Sequence, residues 1–101
     1  MIENDSNLPL VGVDLSGANL KSLNLRRADL THADLTGANL VNTDLVRANL
    51  TETCFTDADV TRTVLGGNAG LTEAVRRDLV ARGAIFRESP PLDGASMVAR
   101  K

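Results

Sequence analysis

The chain has 101 residues, with 11 Lys and Arg against 13 Asp and Glu, and a net charge of -2. This length indicates one small domain, and this charge gives no overall attraction to nucleic acid or to an anionic membrane. The two aromatic residues are too few for the base-stacking platform of single-strand binders. One Cys and one His cannot by themselves form a zinc site, and no disulfide can form within the chain, so we expect neither metal nor cofactor.

Residues 1–7 form a polar lead with no basic region, and the apolar stretch 8–13 that follows is short. A signal peptide or a membrane span needs a longer apolar segment. We therefore expect a cytoplasmic protein that does not bind a membrane.

Residues 8–67 divide into twelve consecutive pentapeptides with one shared pattern. The first residue of each unit is small or apolar, and the second is Asp or Asn in nine of the twelve units. The third residue is apolar and is Leu in ten of the twelve units. These third residues are the predicted structural core: Leu10, Leu15, Leu20, Leu25, Leu30, Leu35, Leu40, Leu45, Leu50, Phe55, Val60 and Leu65.

A period of five residues fits neither regular element. An α-helix turns about 100° per residue, so leucines five apart would spiral around all of its sides. A strand alternates its faces, so an odd step would turn each successive leucine to the opposite face. The chain must therefore bend every five residues. If four sides close one coil, a coil has twenty residues and the twelve units make three coils.

The tandem pattern A(D/N)LXX resembles the pentapeptide repeat family, and the resemblance covers residues 8–67. It implies an all-β solenoid, a right-handed quadrilateral β-helix of about three coils. The chain resembles in particular the small stand-alone bacterial members, cyanobacterial ones among them. A leucine-rich repeat is rejected because it has distinct strand and return sides, whereas these five-residue units are nearly equivalent.

The segment 68–86 is predicted to be a loop and an α-helical cap on the last coil. Thr72 is a suitable N-cap, and Gly83 is a suitable stop signal, which predicts a helix over about 73–82. It resembles the short capping element that follows the repeats in small family members.

Apolar residues of this segment recur at every fourth position and are expected to lie over the last coil: Leu71, Val75 and Leu79. Ile85 and Phe86 are expected to add bulk to the same cover. The tail 87–101 contains two adjacent prolines and few large apolar residues, so we expect it to be flexible.

The residues capable of chemistry all have simpler structural explanations. Cys54 takes the Asp or Asn position of its unit, and His32 takes a turn position. Neither has a partner at a spacing that indicates a nucleophile pair. The glycines of 66–70 lack the Lys and Ser or Thr of a phosphate loop. The repeated aspartates are expected at the corners of the coil, where Asx side chains favour turns. We therefore predict no catalytic residue and no enzyme.

Surface charge divides the predicted coil into two halves. Basic residues on the third and fourth sides form the candidate interaction face, called here the basic face: Lys21, Arg26, Arg27, Arg47 and Arg62. The other two sides carry acidic residues: Asp14, Asp29, Asp34, Glu52 and Asp57. The basic face predicts an anionic partner, although a solvated surface of mixed charge explains the same pattern.

The sequence favours a non-enzymatic protein-protein interaction or scaffold module with an unidentified protein partner and no direct binding of nucleic acid. The resemblance supplies an alternative, because quinolone-resistance members of the family mimic duplex DNA and bind type II topoisomerase. Three coils and a repeat charge of five basic minus seven acidic residues, or -2, disfavour that alternative.

The amino end of the coil is the second predicted contact surface. The polar lead has little to cover the apolar residues of the first coil, of which Leu8, Leu10, Val13 and Leu23 are expected to be poorly protected. An uncovered coil exposes unpaired backbone like the edge of a sheet. We therefore expect this end to be able to form a homodimer.

Overall fold

The computed structural model describes residues 7–87, so residues 1–6 of the lead and 88–101 of the tail lie outside the described part of the chain. Its regular elements are strand β1 (Val64–Leu65), helix α1 (Glu73–Ala81) and strand β2 (Ile85–Phe86). Strands β1 and β2 pair in parallel, with Val64 beside Ile85 and Leu65 beside Phe86. The remaining pairing consists of single bridges.

Eight isolated parallel bridges organise the repeat, and each joins residues twenty apart. They fall into four series along the chain, which we call the first to fourth sides: Pro9–Asp29–Asn49, Asp14–Asp34–Cys54, Asn19–Asn39–Asp59 and Asn24–Asp44–Val64. The chain thus returns beside itself every twenty residues. We call residues 8–27, 28–47 and 48–67 the first, second and third segments.

Each of the first eleven pentapeptides ends in a tight turn. The N–H of Ala33 donates to the carbonyl of Leu30 (2.9 Å), and the same bond recurs from unit to unit. The fifth residue of each unit has a positive φ, as in His32 (62°) and Glu52 (55°). This conformation costs roughly 1–2 kcal/mol in a residue with a Cβ, so the turns are stabilised by their surroundings rather than by local preference.

The prediction that Asp and Asn stand at the corners needs correction. These residues form the bridges on the sides, and the two residues after each leucine form the corner. The Asp or Asn side chain instead supports the corner from the adjacent side. For example, Oδ1 of Asp29 accepts hydrogen bonds from the N–H (3.2 Å) and the hydroxyl (2.6 Å) of Thr31.

The burial of the predicted core residues increases from the first segment to the second and third. Nine of the twelve are buried, from Leu25 onward, whereas Leu10, Leu15 and Leu20 in the first segment are only partly buried against them. Threonine replaces alanine at two buried inward positions. The hydroxyls of Thr43 and Thr63 are buried, and each donates a hydrogen bond to a carbonyl of the preceding segment, at 2.7 Å (Leu20) and 2.6 Å (Leu40).

Helix α1 covers the carboxyl end of the stack. Its N-cap is Thr72, whose hydroxyl accepts a hydrogen bond from the N–H of Val75 (3.2 Å). Leu79 is fully buried, and Leu71 and Val75 are partly buried against the core. The helix ends at Ala81, one residue before the predicted bound.

One side chain and one glycine hold this helical cap against the third segment. The guanidinium of Arg82 donates to the carbonyl of Phe55 from both terminal nitrogens (2.8 and 3.1 Å). Gly70 has a φ of 79° and lies so close to Thr51 that a Cβ would collide with its backbone. The expectation that Ile85 adds bulk to the cover was wrong, because Ile85 is 45 % exposed. It occupies the outward bridging position of β2, and Phe86 is the inward residue.

Candidate interaction face

The third and fourth sides carry all five residues of the basic face. The five do not have the same surroundings: Arg26 is half-buried, whereas Lys21, Arg27, Arg47 and Arg62 are exposed. The backbone bridges bring residues twenty apart into neighbouring segments. Because bridged strands lie about 4.8 Å apart, side chains at equivalent positions form a short ladder.

Arg27 and Arg47 are the two arginines at one corner of this ladder. Both take the fifth position of a pentapeptide, with φ of 63° and 65°. Their backbone N–H groups donate to Val46 (3.0 Å) and Gly66 (2.8 Å) in the following segment. The backbone at both positions is therefore held, and the two exposed guanidinium groups project from neighbouring turns of the chain.

Arg26 is half-buried and forms an ion pair on the fourth side. Its Nη1 lies 3.5 Å from Oδ2 of Asp44, and both side chains are about one third exposed, at 32 and 34 %. Asp44 is the acidic residue that dilutes the positive charge of the fourth side. Arg26 thus contributes less free charge to the basic face than its sequence position indicates.

Arg62 and Lys21 extend the face onto the third side. Nε of Arg62 donates to Oδ1 of Asn42 (3.1 Å), which stands twenty residues earlier at the equivalent corner. The N–H of Arg62 donates to the carbonyl of Gly83 (2.8 Å), so the segment after α1 also supports this corner. Lys21 is exposed in the first segment, and its N–H donates to Oδ1 of Asn19 (3.1 Å).

The structure adds Arg87 to the fourth side, and sequence reasoning missed it. The N–H of Arg87 donates to Leu65 (2.7 Å), and its backbone lies directly against Gly66. Arg87 is exposed. It lies next to Gly66, which occupies the same position in the third segment as Arg26 does in the first. Continuing the twenty-residue register beyond Gly66 leads to Phe86, so the offset of 21 that places Arg87 here had no signal in the sequence.

The acidic residues on the first two sides are tied to their own turns. The carboxylate of Asp14 accepts a hydrogen bond from the Ser16 hydroxyl (2.6 Å), and that of Asp34 accepts one from Thr36 (2.5 Å). Hydrogen bonds from Ser16 hold the pKa of Asp14 below its ordinary value. Glu52 instead lies 3.7 Å from Nδ1 of His32, across two exposed turns.

Cys54 is an exposed free thiol on the second side. Its Sγ lies 3.4 Å from the hydroxyl of Thr36 and 3.3 Å from that of Thr56. Hydrogen bonds from Thr36 and then Thr56 lower the pKa of the thiol, and the Asp34 carboxylate opposes them. Within residues 7–87, no group of three or more His, Cys, Asp or Glu side chains could hold a metal ion.

We expect Thr56→Val to raise the pKa of Cys54 and to slow its alkylation by iodoacetamide at neutral pH, because the thiolate is the reactive species. Thr56 is changed rather than Thr36 because the Thr36 hydroxyl also donates to Asp34, so its removal would alter two interactions at once. The pH profile of the alkylation rate measures the change. An unshifted profile would show that Thr56 does not stabilise the thiolate.

A family model described as pentapeptide repeats (8 copies) matches the chain over residues 10–45 and 28–67. These two matches together cover more than half of the 101 residues. The chain belongs to the pentapeptide repeat family, as the repeat pattern predicted. Proteins of this family form β-helical solenoids and are generally non-enzymatic structural or interaction modules.

No curated protein is similar enough to this chain to count as a relative. The family therefore supplies the class of the protein, and a particular role must be argued from its own surface. In the described part of the chain, no helix is long and apolar enough to cross a membrane.

Proposed function

We propose that this protein is a non-enzymatic protein-protein interaction module of the cytoplasm that binds an acidic protein surface through its basic face. The observation that carries the proposal is the clustering of exposed Arg27, Arg47 and Arg62 with Lys21 on two adjacent sides. Arg87 extends this cluster toward the carboxyl end. Exposed Asp59 on the third side reduces this positive charge, but the excess of cations attracts and orients a partner of the opposite sign.

The architecture that we propose for this module is a right-handed quadrilateral β-helix of about three coils with a helical cap. Four series of bridges with a constant offset of twenty residues support four sides and a twenty-residue coil. The handedness rests on family membership. A repeat of this kind contacts only its neighbours, and its held backbone presents a rigid surface to a partner.

Rigidity matters for the proposed binding because exposed ion pairs are individually weak, at about 0.2–1 kcal/mol. Where the backbone is held, only the side chains of the cations need to be ordered when a complementary acidic surface binds. The backbone N–H groups of Arg27, Arg47 and Arg62 are all hydrogen-bonded to the next pass of the chain. We therefore expect the basic face to bind a folded acidic partner without rearranging.

Affinity capture from the native cell extract tests this proposal. We expect Arg27→Glu combined with Arg47→Glu to release the partner that the wild-type chain retains. Two exposed ion pairs lost at up to about 1 kcal/mol each, with added repulsion, weaken binding by roughly tenfold or more. The affinity of the wild-type complex should also fall as salt is raised.

Arg77→Glu is the matched control, because Arg77 is an exposed arginine on α1 that is not part of the basic face. It changes the net charge as Arg47→Glu alone does. If Arg77→Glu and Arg47→Glu weaken capture equally, the basic face is not the binding surface. Recovery of topoisomerase subunits as the retained protein would instead support the DNA-mimic alternative.

A further inference from the structure

The two ends of the stack are finished differently. At the carboxyl end, α1 and β2 lie over the third segment, and the α1 residue Leu79 is fully buried on the side of the helix that faces the core. At the amino end, large apolar side chains of the first segment remain exposed: Leu8 at 42 %, Val11 at 54 % and Leu23 at 45 %. Ala28 and Thr43, which follow Leu8 and Leu23 in the same columns, are 0 % exposed.

The backbone of the first segment also forms a sheet edge. In the second segment, Asp34 directs both of its groups toward the first, since its N–H donates to Val13 (3.0 Å) and its carbonyl accepts from Leu15 (2.8 Å). Asn39 does the same with Ala18 and Leu20. By the same repeat geometry, Asp14 and Asn19 direct their N–H and carbonyl groups out of the amino end.

The other two sides are less suited to pairing at this end. Pro9 on the first side has no N–H to donate. On the fourth side, the N–H of Asn7 already donates to the carbonyl of Arg26 (3.2 Å). The second and third sides, with Asp14 and Asn19, are therefore the part of the edge best able to accept another strand.

A two-fold axis perpendicular to the stack, placed at the corner between these sides, sets the second side of one copy against the third side of the other. The paired strands are then antiparallel. In an antiparallel pair, two opposed residues can exchange both backbone hydrogen bonds. Asp14 of each copy opposes Asn19 of the other. The N–H and carbonyl of Asp14 therefore pair with the carbonyl and N–H of Asn19 in the other copy.

Charge supports the same arrangement. Asp14 and Lys21 are both exposed in the first segment, on the second and third sides respectively. In the two-fold arrangement, Lys21 stands diagonally across from Asp14 of the other copy, which is within the reach of a long side chain. The first sides, which lack the N–H at Pro9, then face the fourth sides, where Asn7 lies.

We propose that two copies of this chain form a closed dimer, head to head, by antiparallel pairing of Asp14 with Asn19 across their amino ends. This inference rests on the four-sided architecture proposed above and is independent of the acidic partner. Because α1 covers the opposite end, a head-to-tail stack cannot extend, and the assembly stops at two copies.

Sedimentation equilibrium of the full chain over a range of concentrations tests the dimer. We expect a mass of twice 10.7 kDa for the wild type. Asp14→Lys and Lys21→Asp should each weaken the dimer by roughly tenfold, because each places like charges across the interface. The double variant restores the opposite charges and should recover most of the lost affinity.

Asn19→Pro and Asn19→Ala form a second, matched pair. Both remove the side-chain hydrogen bond to Lys21, but only proline removes the N–H that the dimer uses. We expect Asn19→Pro to give monomers and Asn19→Ala to keep the dimer, with circular dichroism confirming that both fold.

Four outcomes would overturn the proposal. The first is a wild-type chain that stays monomeric at every concentration. The second is a double charge swap no tighter than either single variant. The third is a dimer that forms only after residues 1–6 are deleted, which would show that the lead covers this end. Loss of the dimer on Val80→Arg, at the opposite end and 50 % exposed, would also place the interface elsewhere.

Discussion

Leu35→Lys should abolish the cooperative fold. Leu35 is 0 % exposed in the second segment, and the bridges of the preceding Asp34 to Asp14 and Cys54 place it between Leu15 and Phe55. A lysine there would bury an unpaired ammonium, at a cost of several kcal/mol, and would also lose the leucine packing. A domain of this size has only about 5–15 kcal/mol of stability to lose. Thermal unfolding followed by circular dichroism should show no cooperative transition.

Val41→Lys is the control for this prediction. Val41 belongs to the same segment and is half-buried, but its position is the outward one that Lys21 occupies in the first segment, from which a long side chain can reach solvent. A lysine there should therefore change stability by no more than about 0.5 kcal/mol. A cooperative, wild-type-like melt for Leu35→Lys would mean that the third residue of the pentapeptide does not face the interior.

The inward pattern could be predicted because it depends on a short, uninterrupted period. Each pentapeptide repeats the same local solution, and stacking adds only neighbours of the same kind. The sequence alone therefore identified the third residues as core positions. The degree of burial was harder to anticipate, because Leu10 and Leu40 have the same place in the unit but different neighbours in the stack.

The register was lost where the period broke. After Gly66 and Gly67, α1 interrupts the series of bridges, and the chain rejoins β1 with an offset of 21 residues instead of twenty. Spacing within the helix predicted its buried stripe, but no local signal reports how many residues the chain uses before it pairs with β1 again. For that reason the outward position of Ile85 and the place of Arg87 required the structure.

The basic face was predicted as a set of charges, without their partners. Sequence position assigned Arg26 and Arg27 to the same side, but the pairing of Arg26 with Asp44 depends on the stacking of residues 18 apart. Such a contact forms only because the long side chain of Arg26 in the first segment reaches the carboxylate in the second. Pentapeptide counting locates the backbone of a charge, whereas the structure decides whether that charge remains available to a partner.

Leu79→Ala should destabilise the protein by about 2–5 kcal/mol, the usual cost of deleting a buried leucine side chain. Leu79 is the one fully buried side chain that α1 contributes among the described residues. Alanine is the best helix former, so the loss measures packing on the third segment and not the intrinsic stability of the helix. Urea unfolding should show a lower midpoint.

Val80→Ala separates the two contributions, because Val80 is the next residue of α1 and is 50 % exposed. The change from a β-branched residue to alanine favours the helix, and little packing is lost, so we expect an effect within about 0.5 kcal/mol. A much lower urea midpoint for Leu79→Ala than for Val80→Ala would mean that α1 stabilises the protein by packing Leu79 on the third segment. Equal midpoints would instead show that α1 does not pack on the third segment in solution, and the carboxyl end would then be as open as the amino end.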